Sequence, residues 1–136
     1  VVMKEDNIVS INSCVQIDLM GQAASETVGY TQISGVGGQV DFVRGAAMAK
    51  NGRSILAFPS TAAKGTVSKI VPLLDEGAAV TTSRNDVDYV ITEYGIAKLS
   101  GKTLKQRAHA LIEIAHPNFR DELKKVYEER FHCSYE

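Results

Sequence analysis

The sequence predicts an α/β fold on a mainly parallel or mixed sheet, and three observations carry that expectation. Short apolar runs with strand periodicity alternate with segments of helical periodicity along the 136 residues. Two amphipathic helices with local start signals close the chain. No internal repeat or low-complexity segment interrupts the alternation. The length suits a single domain spanning residues 1–136, or one lobe of a larger subunit.

The elements follow in order. From Val9 to Leu19 apolar residues fall on odd positions and Ser10, Asn12, Cys14, Gln16 and Asp18 on even ones. This period of two gives one long strand, or two joined at a bend, with the odd positions buried and Asn12, Gln16 and Asp18 on the other face. Met20-Gly21-Gln22 is a turn, and Ala23 to Gln32 reads as extended chain. Val43 to Lys50 reads as a helix. Val40, Val43 and Ala47 recur at helical spacing, as do Phe42, Ala46 and Ala49, so this helix is apolar around most of its circumference and expected to be sandwiched. Asn51-Gly52 supplies its C-cap. Ser54–Phe58 is a buried strand stopped by Pro59. Val67–Val71 is another, and Glu76-Gly77 turns the chain into Ala78–Thr82. Asp88–Ile91 is a further strand, which Glu93-Tyr94-Gly95 breaks into a short helical turn. Thr103 with Gln106 forms a capping box ahead of the stripe Leu104, Ala108, Leu111, Ile112, Ala115. Pro117 suits a first helical position, before the stripe Phe119, Leu123, Val126, Tyr127, Phe131.

Composition excludes some classes. The formal net charge of −1 gives no basic surface for nucleic acid or an acidic membrane. No stretch is long and apolar enough to span a bilayer, and no signal peptide is visible. Cys14 and Cys133 read as reduced thiols in a cytoplasm. No Cys/His spacing fits a zinc site, so no metal is expected. The chain starts at Val1, with strand pattern within ten residues, and is expected to be a piece of a longer polypeptide.

The most informative stretch is Ser34-Gly35-Val36-Gly37-Gly38-Gln39-Val40-Asp41-Phe42. Glycines leave backbone amides uncovered, and a helix start behind them adds a positive dipole end, which suits an anion or an oxyanion. Glycines also mark tight turns, and the spacing matches neither a dinucleotide fingerprint nor a P-loop. Asp41 is a first-turn acid that argues against a bare phosphate here, and Arg44 is placed to pair with it. Glu93 follows a strand, where ligands of open α/β sheets gather, and is the acid to examine first. Glu26 reads as solvated. His109, His116 and His132 read as structural, with His116 at a helix junction. No sequence-adjacent base accompanies Ser13 or Cys14.

The segment from Gly35 to Ala46 resembles the glycine motif of the acetyl-CoA hydrolase/transferase family, in its 4-hydroxybutyrate and butyryl-CoA:acetate transferase branch. Ser10-Ile11-Asn12-Ser13, Val90-Ile91-Thr92-Glu93-Tyr94-Gly95-Ile96-Ala97, and Arg107 through Ala115-His116-Pro117 to Phe119-Arg120 resemble the same family in the same order. The likeness runs from about Asn7 to Phe131. It implies the C-terminal lobe of the NagB/RpiA/CoA-transferase-like fold, a mixed sheet flanked by helices. It implies coenzyme A as a substrate, no permanently bound cofactor, acyl-CoA and small carboxylic acids as ligands, and a homo-oligomer when full length. It implies oxyanion donation by Asn12 and by one of Gly35, Gly37 or Gly38, with Gln39, Phe42, Glu93, Tyr94 and Gly95 on the substrate and CoA side. The family's nucleophilic glutamate has no counterpart in this sequence, so the missing N-terminal lobe is expected to supply it. An acyl-CoA hydrolase and a non-catalytic acyl-CoA-binding module are the alternatives.

Overall fold

The computed structural model describes residues 9–24, 27–28, 31–32, 53–74, 80, 83–84 and 86–135. Through them run the strands β1 (Val9–Asn12), β2 (Gln16–Asp18), β3 (Ala23–Ala24), β4 (Thr27–Val28), β5 (Thr31–Gln32), β6 (Arg53–Ala57), β7 (Thr61–Ala62), β8 (Val67–Ser68), β9 (Ile70–Val71), β10 (Tyr89–Thr92) and β11 (Gly95–Lys98). The helices α1 (Leu104–Glu113) and α2 (Pro117–Phe131) follow. The helix read at 43–50, its cap, and most of the strand read at 78–82 lie outside the described residues.

The principal sheet has the order β1-β6-β10-β11. β1, β6 and β10 are parallel, and β11 closes the edge antiparallel to β10. The sheet is therefore mixed, as the alternation predicts. Asn12 is in register with Leu56, and Leu56 with Val90, so the three parallel strands end close together. A second sheet sets β2 between β3 (antiparallel) and β9 (parallel). Ile17, Leu19, Leu56, Ile70, Leu99 and Leu111 centre a core shared by both sheets and the helices.

The stretch Val9–Leu19 makes two strands in two sheets rather than one. In β1 its facing is also inverted: Ser10 is buried and Asn12 half-buried, while Val9 and Ile11 are 52% and 66% exposed. Periodicity tells which residues share a face but not which face is covered. Here Ser10, Ser54, Leu56, Val90 and Ala97 lie on the buried side, and α1 packs against β11. Gln16 and Asp18, in the other sheet, are buried too.

The segment 93–95 corrects a second expectation. Thr92 pairs with Gly95, so Glu93-Tyr94 is the two-residue turn of a β-hairpin, not a helical turn. Gly95 sits at φ 146°, which an L side chain rarely adopts, and the alternation Ala97 and Leu99 in, Ile96 and Lys98 out, continues it as a strand. The terminal helices begin where their signals place them. Thr103 Oγ1 accepts the Gln106 N–H, and Gln106 Oε1 accepts the Thr103 N–H, a reciprocal capping box. Pro117 occupies the first turn of α2.

Candidate functional site

The three parallel strands end at one edge, and three loops leave from it. β1 ends in Asn12, whose Nδ2 donates to Ser10 Oγ at 3.0 Å. That bond fixes the orientation of a half-buried amide. β6 runs into Phe58-Pro59-Ser60. The Phe58 N–H donates to the Ile91 carbonyl at 3.1 Å, and the Ser60 carbonyl accepts the Lys69 N–H at 2.9 Å. Ser60 is fully buried. β10 turns at Glu93, whose Oε1 accepts the Ser60 N–H at 2.8 Å across 33 residues of sequence.

Glu93 is solvent-exposed, and its carboxyl pKa lies below the usual glutamate value. Partial desolvation is the largest single influence and pushes the pKa up. The Ser60 amide, Glu93's own N–H, the Ser60 hydroxyl and the neighbouring His116 together outweigh it. The Ser60 hydroxyl faces this carboxylate, yet completes no hydrogen bond itself.

Tyr94 is built in from both sides. Its N–H donates to Thr92 Oγ1 at 3.1 Å. Its ring meets His116 edge-on at 5.5 Å, and the Arg120 guanidinium lies 5.4 Å from its centroid. Arg120 is steadied by donation from Nε to the Ala115 carbonyl at 2.8 Å. His116 Nδ1 accepts the Asn118 N–H as the N-cap of α2. His116 thus stands at a helix junction, as the sequence suggests, and also borders the Glu93-Tyr94 turn. A Cβ on Gly95 would meet Ile114 Cγ2 at 3.4 Å, so the turn lies tight against the end of α1.

Of the predicted site residues, Asn12, Glu93, Tyr94 and Gly95 fall at or beside the carboxyl edge of the parallel strands. Gly35, Gly37, Gly38, Gln39 and Phe42 lie outside the described residues. Lys69 lies between β8 and β9. Its Nζ donates to the Cys14 carbonyl at 3.1 Å and sits over the Phe58 ring. Sequence reading missed Ser60. Its position directly after a buried strand and a proline, at the carboxyl end of a parallel sheet, was the available signal. Among the described residues no group of three or more His, Cys, Asp or Glu is placed to hold a metal ion. No helix of the described residues is long and apolar enough to cross a membrane. Chemically, the edge offers an oriented amide donor, a charged carboxylate, and an aromatic face flanked by a guanidinium.

Residues 1–127 match the family model of the acetyl-CoA hydrolase/transferase C-terminal domain. The chain belongs to this family. Within it, the chain is 68% identical over 131 residues to 4-hydroxybutyrate coenzyme A transferase of Clostridium kluyveri, covering 96% of this chain and 30% of that protein. It is 57% identical over 123 residues to succinyl-CoA:cyclohexane-1-carboxylate CoA transferase of Geobacter metallireducens, covering 90% and 28%. The crystal structure of RipA from Yersinia pestis superposes with a TM-score of 0.87 at 51% identity, covering 96% of this chain and 29% of that one. This acetyl-CoA hydrolase/transferase domain therefore spans about 30% of the length of the curated relatives it matches. Among the described residues, the mixed sheet and the helices α1 and α2 share the fold of the RipA structure.

Proposed function

We propose that this chain is the C-terminal lobe of an enzyme that moves CoA between an acyl-CoA and a carboxylic acid. The observation that carries the reading is family membership over residues 1–127. In this reading a glutamate from the rest of the subunit attacks the thioester carbonyl of acetyl-, butyryl- or 4-hydroxybutyryl-CoA. The CoA thiolate leaves and an acyl–glutamyl anhydride remains. The thiolate then attacks the glutamyl carbonyl, expels the first carboxylate, and forms a glutamyl–CoA thioester. A second acid such as acetate reverses the two steps and departs as the new acyl-CoA.

Each step passes through a tetrahedral oxyanion. A preorganised donor aimed at that oxygen lowers the barrier by about 3–4 kcal/mol. We assign this role to Asn12 Nδ2 and to an amide of Gly35, Gly37 or Gly38, with Gln39, Phe42, Tyr94 and Gly95 bordering the CoA side. Support for Asn12 comes from its place at the end of β1 and from the Ser10 contact that orients its amide. CoA is substrate here, and the reading needs no resident cofactor. The two free cysteines suit a cytoplasmic enzyme, which we take to be a homo-oligomer when whole. The relatives are named for an aliphatic hydroxy acid and for an alicyclic acid, so we place acyl selection largely outside this lobe.

The test uses the full-length protein. It is incubated with acyl-CoA, quenched with hydroxylamine, digested and mapped by mass spectrometry. The glutamyl hydroxamate is expected on a glutamate outside residues 1–136, and a label on Glu26 or Glu93 would overturn the assignment. The family description also names hydrolysis, which favours an acyl-CoA hydrolase as second reading. Formation of a new acyl-CoA from an added acceptor acid, without free CoA thiol, supports transfer, and free thiol released without an acceptor supports hydrolysis.

A further inference from the structure

The loop leaving β6 is gripped at both ends by β10 and the residue after it. At Phe58 the N–H reaches the Ile91 carbonyl, and at Ser60 the N–H reaches the Glu93 carboxylate. The Lys69 N–H holds the far side of Ser60 through its carbonyl. An exposed acid on a hairpin turn has no structural need of a partner, yet this one spends an oxygen on a buried amide 33 residues away. The bond crosses between the ends of two parallel strands, at the same edge where β1 delivers Asn12.

We infer that Glu93 is a positioning residue, whose carboxylate pins the Phe58–Ser60 loop to the β10–β11 turn and so sets the shape of the edge that receives acyl-CoA. The inference rests on the CoA-transfer reading. It assigns Glu93 no contact with the reacting atoms, in contrast to the substrate-side role that the family resemblance implies. The chemistry separates the two roles. A glutamine at 93 keeps a carbonyl oxygen that can accept the Ser60 N–H but carries no charge. An alanine removes the acceptor, and an aspartate draws it back by one methylene.

The experiment compares Glu93→Gln, Glu93→Asp and Glu93→Ala in the full-length enzyme. Misplaced loops of this kind cost about 100-fold in rate. Glu93→Ala and Glu93→Asp are therefore expected to lower kcat by 10- to 100-fold at near-parental KM. Glu93→Gln is expected within about fivefold of the parent, with the acid limb of the pH–rate profile in place. A Glu93→Gln enzyme as impaired as Glu93→Ala, or one that loses the acid limb, would overturn the inference in favour of direct action. So would an alanine variant with parental kinetics. Should Glu93→Ala fail to fold, the aspartate and glutamine variants carry the same contrast. If the parent itself transfers no CoA, the functional reading fails, while the clamp is still read by hydrogen exchange. The Ser60 amide should lose protection in Glu93→Ala and keep it in Glu93→Gln, and equal protection in both would refute the clamp.

Discussion

Thr92 joins the end of β10 to the end of α1: its hydroxyl donates to the Ile114 carbonyl at 2.6 Å. The same oxygen accepts the Tyr94 N–H, so one buried hydroxyl serves two backbone groups. Ile114 is the C-cap of α1, where carbonyls lose their helical partners.

Thr92→Val preserves shape and removes both bonds. Leaving the buried Ile114 carbonyl without this donor costs about 1–3 kcal/mol, and the variant is expected to lose that order of stability. Urea unfolding of parent and variant measures it. A difference below about 0.5 kcal/mol, within the range of ordinary surface substitutions, would show that neither group depends on the hydroxyl.

Asp18 is 2% exposed, and its Oδ1 accepts the Met20 and Gln22 N–H groups. Burial raises its pKa above the ordinary 3.8, and the amide bonds and Arg130 only partly offset this. The native acid therefore keeps its proton to higher pH than the unfolded chain does. Its stabilising contribution is full below the unfolded pKa and is lost as pH rises through the native value. Asp18→Asn keeps an acceptor oxygen and cannot ionise. The melting temperature of the parent minus that of Asp18→Asn is expected to fall as pH rises from about 4. A difference independent of pH would contradict the raised native pKa.

What the sequence made legible follows from the range of each signal. The capping box at Thr103 and Gln106, and the proline opening α2, are local chemistry and were readable within four residues. The mixed sheet was readable from alternation. The facing of β1 was not, because Val9 and Ile11 look like core residues until the buried side of the sheet is known. The hairpin at Glu93-Tyr94 was missed because Glu-Tyr-Gly also suits a helical turn, and only the pairing of Thr92 with Gly95 decides it. At the edge, Glu93 was readable as an acid that follows a strand, while Asn12 stood inside the Val9–Leu19 stretch and was singled out by the family resemblance alone. Ser60 was not readable, since its partner lies 33 positions away and no local pattern announces a contact of that separation.

The two cysteines should react very differently. Cys14 is 4% exposed, and burial pushes its thiol pKa up to about 12, with Lys69 pulling slightly the other way. Cys133 is half-buried near the end of the chain. The thiolate is the reactive form, so iodoacetamide at about pH 8 is expected to label Cys133 in the folded protein and Cys14 only after denaturation. Peptide mass spectrometry with and without urea reads both sites. Equal labelling rates in the folded protein would contradict the burial of Cys14.

Asn12 offers the sharpest test of the proposed chemistry. Its Nδ2 already donates one bond to Ser10 Oγ, which orients the amide and leaves its second hydrogen for a ligand at the carboxyl edge. Loss of one oxyanion donor costs about 100- to 1,000-fold in kcat. Asn12→Ala in the full-length enzyme is therefore expected to lower kcat by that order with little change in KM, because the interaction forms in the transition state. Ser10→Ala leaves the donor present but loosely held, and a smaller loss is expected. Steady-state kinetics with acetyl-CoA and 4-hydroxybutyrate compare the three proteins. Parental kcat in Asn12→Ala would remove Asn12 from the oxyanion role. A Ser10→Ala loss as large as that of Asn12→Ala would show that orienting the amide matters as much as having it.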